Sequence, residues 1–419
     1  MTAATPTTIA AATPAVPSSA PRAKRVTSQE IDACGRRLRQ GDLVAFPTET
    51  VYGLGCHALD EQACHKVFAA KERPLTDPLI VHVNHAADAF VLWQATTDEA
   101  STTQQSSLQA RILTALCDAF WPGPLTLVAK ASSAVPAVVM AGTGYCAARS
   151  PRHATARALI AAAAVPLAAP SANKFGHVSP TTAQHVWDDL QNENVWILEE
   201  QNDEPDNDTS RVGVESSVVK LEMNDQDSHG TLTVLRQGAV SVADLQAALQ
   251  QVGLLDQVQV VAKTNQRVTE VTATVAPGQT IRHYSPNVPS YLLSAECVSS
   301  LAALPVVVDE DSSLSALLAS TVILDYGKIC ATWQGHVLAY RDLSPSGNSV
   351  QAAQGIYDCL RWAEQVPQAK YILFPSLLCD DDMDHGSDAL LLAVQDRLTR
   401  AASGVVLDSL DTLLPSSEA

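Results

Sequence analysis

The sequence predicts an α/β protein with two domains. Its 419 residues exceed the size of one ordinary hydrophobic core, and segments with helical and strand periodicity alternate twice along the chain. The first alternation runs from Ser28 to Gln251 and the second from Ser290 to Leu414, so we expect a larger domain followed by a smaller one. Residues 252–289, between them, lack clear periodicity and predict a partly ordered linker.

Residues 1–27 predict a disordered tail, because Ala, Thr, Pro and Ser dominate them without periodicity. Their basic residues follow the Ala/Pro-rich tract instead of preceding an apolar run, which disfavours a signal peptide. A transit peptide is the weaker alternative, since arginine is sparse. No apolar run approaches the length of a membrane span. We therefore expect a cytoplasmic protein without a membrane partner.

The first domain contains three segments with helical periodicity and six with strand character. The helix candidates are SQEIDACGRRLRQG, DEQACHKVFAAKER and SPTTAQHVWDDL. The strand candidates are LVAFPT, PLIVHV, LTLVAK, VPLAAP, SVVKLE and LTVLR. Ser179, followed by Pro180, predicts the N-cap and first turn of the third helix.

The second domain repeats the alternation on a smaller scale. Its strand candidates are LPVVVDE, STVILDYG, HVLAYRDL and YILFPSLL, and its helix candidates are GNSVQAAQGIYDCLRWAEQV and SDALLLAVQDRLTRAA. The acidic run CDDDMDHGSD could bind a metal ion, but a solvated acidic loop is the favoured interpretation of such a run.

The charge balance limits the ligands that the protein can take. With 27 basic and 45 acidic residues the net charge is −18, so stable binding of nucleic acid is disfavoured. Small anions still fit a pocket in which basic groups are gathered. The nine cysteines are scattered without a C-x-x-C pair. They indicate buried thiols of a reducing compartment and predict no metal site.

The segment KERPLTDPLIVHV brings two cations to the end of a helix. Arg73 directly precedes Pro74 in a rigid turn, and a guanidinium fixed in this way suits bidentate phosphate recognition. Lys71 ends the helix and could simply complement its dipole. His82 lies in the strand that follows, where a lone histidine is usually structural unless its face borders the pocket.

Hydroxyl groups recur at other strand ends of the first domain. Thr48, Thr50 and Tyr52, in FPTETVYGLG, predict the lining of a pocket. Thr126 and Lys130 share one face of LTLVAK and could hold a carboxylate or phosphate, although Lys130 could also be a snorkelling residue at the strand end.

Further polar residues follow later strands. They are Ser171 and Asn173 in a turn, Ser179 at a predicted helix N-terminus suited to an anion, and Ser216, Ser217 and Arg236 at strand ends. Together with Arg73, Lys130 and Arg149, they suit a nucleotide plus a small carboxylate substrate. Neither a Walker A sequence nor a Rossmann fingerprint is present to explain such a site.

Six strings occur in a characteristic order: FPTETVYGLG, KERPLTDPLIVHV, FWPGPLTLV, PSANKFGHVSPTTAQHV, GVESSVV and LRQGAV. They resemble the YrdC-type domain of threonylcarbamoyl-AMP synthases. PGQTIRHYSP and AVQDRLTRAA resemble the linker and the C-terminal domain of the long form of these enzymes. The resemblance implies an open, twisted mixed-sheet YrdC-like domain with a concave cavity, followed by a smaller Rossmann-like α/β domain.

The same resemblance implies a nucleotidyltransferase. It would convert L-threonine, bicarbonate and ATP, with Mg²⁺, into threonylcarbamoyl-AMP and pyrophosphate. The product would pass to the downstream machinery that forms threonylcarbamoyladenosine in tRNA.

The resemblance also implies roles for individual residues. Lys71 and Arg73 form the catalytic K-x-R pair, and Asn173 completes an S-x-N motif. Threonine would be bound by Thr50, His82, Lys130 and Ser216. ATP would be bound by Arg73, Asp77, Thr126, Ser171, Asn173, Ser179, Arg236 and Tyr284, with Tyr284 of the linker closing over the nucleotide. Asp77 stands where the family usually has asparagine, and Arg149 lies in a looser match to the pattern.

Two other functions are compatible with a YrdC-like domain. Carbamoyltransferases of hydrogenase maturation contain a similar domain, but they carry zinc-finger cysteine pairs that this sequence lacks. An RNA-binding or regulatory YrdC-like module is the alternative from another class, and the net charge of −18 disfavours it.

Overall fold

The computed structural model of the chain describes residues 22–94, 107–199, 211–224, 228–262, 283–302, 313–378 and 388–414. Most of the predicted tail lies outside these residues. So do the strand predicted at LPVVVDE and the acidic run CDDDMDHGSD, except its last residue.

The first domain is built on a mixed sheet, to which the described residues contribute eleven strands. The strands are β1 (Lys24–Val26), β2 (Leu43–Phe46), β3 (Gly53–His57), β4 (Ile80–His82), β5 (Leu125–Lys130), β6 (Tyr145–Arg149), β7 (Leu167–Ala168), β8 (Val195–Leu198), β9 (Ser217–Met223), β10 (Gly230–Arg236) and β11 (Val258–Ala262). Their order is β1-β8-β2-β3-β7-β4-β6-β5-β9-β10-β11. Parallel pairs such as β4–β6 and antiparallel pairs such as β5–β6 both occur, so the predicted mixed sheet is confirmed.

Helices pack against this sheet. They are α1 (Ile31–Arg39), α2 (Glu61–Lys71), α3 (Ala86–Phe90), α4 (Leu108–Phe120), α5 (Ala154–Ala163), α6 (Ala183–Leu190) and α7 (Val242–Gln251).

The second domain contains a separate, all-parallel sheet of five described strands. Its elements are β12 (Ser290–Leu293), α8 (Ala295–Ala302), α9 (Ser313–Leu318), β13 (Thr321–Asp325), β14 (Ala339–Asp342), α10 (Ser349–Gln365), β15 (Tyr371–Pro375), α11 (Ala389–Ala401) and β16 (Val406–Leu407). The strand order is β14-β13-β15-β12-β16. Parallel strands joined by helices confirm the predicted small α/β domain.

The end of α2 shows how local sequence places a site residue. Asp60 caps the helix by accepting hydrogen bonds from the backbone N–H groups of Gln62 and Ala63. At the other end Glu72 adopts a left-handed conformation with φ 56°, and the backbone N–H of Arg73 returns to Phe68 O at 2.9 Å. This tight C-cap, followed by a proline, turns Arg73 away from the helix axis.

The start of α6 differs from the prediction. The helix begins at Ala183, and Thr182 is its N-cap, accepting from the backbone N–H of His185 at 3.2 Å. Ser179 lies four residues before the first helical residue, so it does not cap the helix, and that prediction is wrong. The Ser179 hydroxyl instead donates to Glu215 Oε1 at 2.7 Å.

The segment after α7 contains a strand that the sequence did not predict. Strand β11 pairs in parallel with β10, with Val258 opposite Gly230, and forms an edge of the large sheet. Val258 is buried and the other four residues of this strand are half-buried or exposed, and the alternation Val-Gln-Val in VQVVA is too short to predict a strand.

The two domains share one apolar cluster. Val51, Val178 and Val214 of the first domain pack with Leu324 and Ile356 of the second. A Cβ on Gly213 would lie 2.3 Å from Gln354 Cα of α10, so only glycine permits this approach. None of the described helices is both long and apolar enough to cross a bilayer.

Candidate active site

A cavity lies where several strands of the large sheet end. Its wall comes from the turn after β2, from the turn after α2, from β4 and β6, from the turn after β7, from the residues just before β9, from the end of β10, and from the chain entering the second domain. The predicted site residues in the wall are Thr48, Thr50, Arg73, His82, Ser171, Ser216, Arg236 and Tyr284. Strands distant in sequence thus bring together most of the predicted ligands.

Arg73 is held by the segment that follows it. Its Nε donates to Asp77 O at 3.1 Å and its Nη2 to Pro78 O at 2.8 Å. The Asp77 carboxylate lies 2.9 Å from Nη2, and both side chains are buried. Asp77 therefore orients Arg73 and also neutralises part of its charge.

Lys71 is buried behind the cavity. Its Nζ donates to Ser171 O at 2.6 Å and also to Asn173 O. Burial, followed by the charge of Arg73, holds the pKa of Lys71 well below its usual value. The side chain is thus placed on backbone carbonyls of the neighbouring loop, where it fixes Ser171 in the cavity wall.

The remaining S-x-N residue acts within the same loop. Asn173 is buried, and its Nδ2 donates to Lys174 O at 2.7 Å and to His177 O at 2.9 Å. These bonds close the turn that carries Ser171.

Arg149 ends β6 inside the cavity and pairs with a carboxylate that the sequence analysis did not single out. Its Nη2 lies 2.7 Å from Glu49 Oε1, and its Nη1 donates to Thr50 Oγ1 at 3.0 Å. Burial alone would raise the pKa of Glu49, but the charge of Arg149 lowers it below the usual value. The pair fixes the Thr50 hydroxyl at the cavity wall.

His82 is a neutral imidazole. Burial, reinforced by the charge of Arg149, lowers its pKa to about 3. Its Nδ1 is buried and has no hydrogen-bond partner among the described residues, while the edge of the ring meets Phe46 at 6.1 Å between centroids. A buried nitrogen of this kind is suited to a hydrogen bond from a ligand.

Thr126 on β5, Ser216 directly before β9 and Arg236 at the end of β10 form one cluster. Thr126 Oγ1 and Ser216 Oγ are 2.7 Å apart. Arg236 donates from Nε to Ser216 O at 3.0 Å and from Nη2 to Ser216 Oγ at 3.1 Å. The cluster presents a guanidinium and a hydroxyl from adjacent strands.

Glu215 connects the cavity wall to the second domain. Its Oε1 accepts from Ser179, and its Oε2 accepts from Tyr357 OH at 2.5 Å and from Arg397 Nε at 3.1 Å. Burial alone would raise the pKa of Glu215, but Arg397 and Arg236 lower it, so the carboxylate is ionised. Tyr357 lies on α10 and Arg397 on α11.

The chain crosses the cavity at His283 and Tyr284 before it enters the second domain. Tyr284 is fully buried with φ 60°, a strained conformation for an aromatic residue. Its ring lies 4.1 Å from that of His283 and 5.5 Å from that of Tyr357. Burial, followed by the charge of Glu215, raises the pKa of Tyr284 to about 12. The next residue, Ser285, is fixed from both sides, through Gly176 O at 2.9 Å and Arg400 O at 3.2 Å.

Five of the predicted residues are buried but do not line the cavity: Lys71, Asp77, Thr126, Asn173 and Ser179. Two others, Lys130 and Tyr52, do not line it either. Lys130 is exposed at the end of β5, four residues beyond Thr126 on the same strand face, or roughly 13 Å along the strand. Tyr52, predicted to line the pocket, packs in the core of the first domain instead. Cys56 and Cys64 also pack there, with 3.7 Å between their sulfurs, as expected for packing thiols.

Several residues of the site were not predicted. Glu49 and Glu215 lie inside the quoted strings FPTET and GVESS, where an acid directly before a hydroxyl residue was the available signal. Tyr357 and Arg397 carry no local signal, because their partner lies more than a hundred residues earlier in the chain.

Sequence models of two families match the chain in succession. The first is the Sua5/YciO/YrdC family, described as "Telomere recombination", which matches residues 36–238. The second is described as "Threonylcarbamoyl-AMP synthase, C-terminal domain" and matches residues 240–403. A threonylcarbamoyl-AMP synthase of Pyrococcus abyssi is 36% identical over 264 residues, which cover 63% of this chain and 68% of that protein.

The chain belongs to the threonylcarbamoyl-AMP synthase family. Synthases of Schizosaccharomyces pombe and Bacillus subtilis are 35% and 34% identical, and the alignments span 62% and 63% of those proteins' lengths. The crystal structure of P. abyssi Sua5 complexed with L-threonine matches this chain with a TM-score of 0.69 at 27% identity, and the match covers 92% of this chain and 98% of that chain. The two-domain architecture of the family is thus present in this chain.

Proposed function

We propose that the cavity makes threonylcarbamoyl-AMP and pyrophosphate from L-threonine, bicarbonate and ATP, for threonylcarbamoyladenosine formation in tRNA. The observation that carries the proposal is the convergence of buried Arg73, Arg149 and Arg236 with a neutral His82 in one cavity of a family member. Buried guanidinium groups in a confined space suit a triphosphate and a carboxylate better than any neutral ligand.

Two bonds are made before pyrophosphate leaves. The deprotonated amine of threonine attacks the carbon of bicarbonate or of the carbon dioxide derived from it, forming an N–C bond and an N-carboxylate, with loss of water from bicarbonate. A carboxylate oxygen then attacks the α-phosphorus of ATP, and the bond from that phosphorus to the bridging oxygen breaks, so pyrophosphate takes the electron pair. Both steps need positioning and charge stabilisation more than a covalent nucleophile.

Arg73 and Arg236 are assigned to ATP. They reach the cavity from different elements, Arg73 from the turn after α2 and Arg236 from the end of β10. Each is oriented by backbone carbonyls, Arg73 by Asp77 O and Pro78 O, and Arg236 by Ser216 O. Guanidinium groups fixed in this way stabilise the charge that develops on the leaving pyrophosphate without reorganising. Thr126, Ser171 and Ser179 remain proposed ATP ligands through their hydroxyls.

Threonine is assigned to Thr50, His82 and Ser216 in the cavity wall. Thr50 and Ser216 offer hydroxyls, and the unpartnered Nδ1 of His82 is suited to accept a hydrogen bond from threonine. Ser216 also contacts Arg236, so the proposed threonine and ATP sites adjoin. With a pKa of about 3, His82 is too weak a base to deprotonate an ammonium group near neutral pH. Its proposed role is therefore binding and orientation. Lys130 remains a proposed threonine ligand, although it is exposed at the end of β5.

Lys71 and Asn173 are proposed to act through the loop they hold. Their bonds to backbone carbonyls fix Ser171, so the K-x-R and S-x-N motifs are in direct contact. The catalytic contribution of Lys71 is then the placement of the neighbouring loop, while Arg73 provides the charge.

Mg²⁺ is proposed to enter as part of the ATP substrate. In the parts of the chain that the structure describes, no group of three or more His, Cys, Asp or Glu side chains is arranged to hold a metal ion. The cavity carboxylates Glu49 and Glu215 are each paired with an arginine. Phosphate oxygens and water are the usual ligands of Mg²⁺ in nucleotide sites, and they suit this arrangement.

Tyr284 is proposed to close the cavity over ATP. It belongs to the wall together with His283, and its hydroxyl, which lies inside the protein, has no hydrogen-bond partner among the described residues. A closed cavity would protect the labile carbamate from water. In the family, a solved P. abyssi variant replaces a consecutive His–Tyr pair by alanines, and His283–Tyr284 is the one such pair in this sequence.

The test is pyrophosphate release by the purified full-length protein with Mg²⁺ and ATP, omitting threonine and bicarbonate in turn. We expect release only when both are present, and formation of threonylcarbamoyl-AMP in equal amount. Release that continues without either substrate would contradict the proposal. Transfer of the product to the downstream tRNA-modifying machinery is a further step, tested by adding that machinery and unmodified tRNA.

The RNA-binding alternative receives little support from the site. Lys71, Arg73, Arg149 and Arg236 are all less than 8% exposed, so they lie beyond reach of a nucleic-acid backbone.

A further inference from the structure

Glu215 places a negative charge in the wall of a cavity assigned to anionic substrates. Its side chain is 6% exposed and belongs to the cavity wall beside Ser216 and Arg236. An unneutralised carboxylate there would repel the triphosphate of ATP and the carboxylates of threonine and its carbamate. The site therefore needs a permanent counter-charge for Glu215.

We propose that the second domain supplies this counter-charge through Arg397, with Tyr357 as a second donor, and thereby makes the cavity of the first domain competent to bind ATP. Arg397 and Tyr357 are then positioning residues, since they act through Glu215. The inference rests on the proposed function, and it gives the second domain a specific electrostatic role in it.

The geometry fits a neutralising role. Arg397 is fully buried on α11, with Nε 3.1 Å from Glu215 Oε2 and Nη1 3.0 Å from Asp396 Oδ2. Asp396 also accepts from Arg400 Nε at 3.0 Å. Glu215, Asp396, Arg397 and Arg400 therefore sum to zero charge. Removal of the Arg397 charge would leave one uncompensated negative charge at the cavity wall.

The two carboxylate oxygens of Glu215 contact different domains. Oε1 accepts from Ser179, a proposed ATP ligand of the first domain, whereas Oε2 faces Tyr357 and Arg397 of the second. Arg397 also lies over the ring of Tyr284 at 5.5 Å. One cation of the second domain thus contacts both the acidic residue of the wall and the residue proposed to close the cavity.

A second cation also acts on Glu215. Arg236 lowers the pKa of this carboxyl group together with Arg397. Because Arg236 is itself assigned to ATP, loss of Arg397 is expected to act on anion binding, in addition to any effect on folding.

Four full-length variants test the inference by steady-state pyrophosphate release at varied ATP, with equilibrium titration of ATP in parallel. Arg397→Met is expected to raise the KM and the dissociation constant for ATP by about tenfold or more. Arg397→Lys keeps the charge and should stay within about threefold of the wild type. Arg397→Met combined with Glu215→Gln should return both constants to within about threefold of Glu215→Gln alone, since the neutral pair lacks the repelling charge.

Controls separate charge from folding. Arg361→Gln removes another buried cation of the domain interface. Arg361 pairs with Asp189 at 3.1 Å, and neither residue lines the cavity. The substitution should lower the melting temperature but leave ATP affinity within about twofold. If Arg397→Met does not fold, Arg397→Gln, which keeps a hydrogen-bond donor, replaces it in the same comparison.

The possible results are distinct. Recovery of ATP affinity in the double variant supports the inference. An unchanged ATP affinity in folded Arg397→Met, or equal affinities in Arg397→Met and the double variant, overturns it. A wild-type protein without threonine-dependent turnover would count against the proposed function, and the ATP titrations would still decide whether Arg397 neutralises Glu215.

Discussion

Asp77 limits how much of the Arg73 charge is available to ATP, and Asp77→Asn tests this directly. The carboxylate lies 2.9 Å from Arg73 Nη2 in a buried pair. In the variant, Arg73 keeps its bonds to Asp77 O and Pro78 O, because these are backbone carbonyls. The guanidinium should therefore keep its orientation while the cavity loses one negative charge.

The size of the effect follows from the geometry of the pair. A guanidinium that contacts a carboxylate on one side and a phosphate on the other holds the two anions roughly 7 Å apart, where they repel by about 2 kcal/mol at an effective dielectric constant of about 20. With partial screening, a gain of about 1–2 kcal/mol in ATP binding corresponds to a KM lower by roughly 5- to 30-fold. The lost charged hydrogen bond should reduce the free energy of unfolding by about 1.5–3 kcal/mol.

The assay is the initial rate of pyrophosphate release against ATP concentration, at saturating threonine and bicarbonate, with denaturant unfolding measured on the same preparations. Asp189→Asn is the matched control, because Asp189 forms a buried pair with Arg361 that lies outside the cavity wall. It should lose stability without a lower ATP KM. A folded Asp77→Asn protein whose ATP KM equals or exceeds that of the wild type would refute the reasoning.

Three further predictions concern histidine and tyrosine residues. His82→Leu should raise the threonine KM by about tenfold while the ATP KM stays within about threefold, because the buried hydrogen-bond acceptor assigned to threonine is lost; equal changes in both constants would contradict the assignment. His177 lies between Asp189 and Glu364, at 2.9 Å from each, and although burial alone would lower its pKa, these carboxylates raise it to about 9. Protonated His177 therefore contributes about 2–3 kcal/mol to the free energy of unfolding, which is fully present below pH about 6.5 and is lost as the pH rises to 9. The melting temperature of the wild type should fall over this range, and His177→Asn should make this fall smaller. Tyr284→Phe should keep its melting temperature, since the hydroxyl has no partner among the described residues, but should weaken ATP binding measurably; unchanged binding in both Tyr284→Phe and Tyr284→Ala would rule out the closing role.

The sequence predicts the fold class and about half of the described helices and strands, because periodicity and turn chemistry are local properties. The segment LTLVAK forms β5 over its whole length, and DEQACHKVFAAKER contains α2 between its predicted cap and its final turn. Strand β11 escapes prediction, because its alternation Val-Gln-Val covers three residues only, which is shorter than the alternation that marks a strand. Helix α6 begins later than predicted, because Ser179 and Thr182 are both acceptable caps in sequence and only tertiary contacts choose between them.

Among the site residues, too, local signals were predictable and long-range contacts were not. Arg73 and Arg236 were found because arginines in turns and at strand ends are conspicuous in an acidic chain. The placement of Lys71 on carbonyl oxygens could not be inferred, since the loop it holds lies a hundred residues away. The pairing of Glu215 with Arg397 depends on how the two domains dock, which no local pattern specifies.

Helix α10 carries its contacts to the first domain on one face. Tyr357, Arg361 and Glu364 follow each other at intervals of four and three residues and reach Glu215, Asp189 and His177 respectively. A residue inserted between the helix start and Tyr357 would rotate this face by about 100° and detach all three partners at once. Over evolutionary time, the outer face of α10 is therefore free to change by substitution, whereas the length of its first two turns should tolerate neither insertion nor deletion.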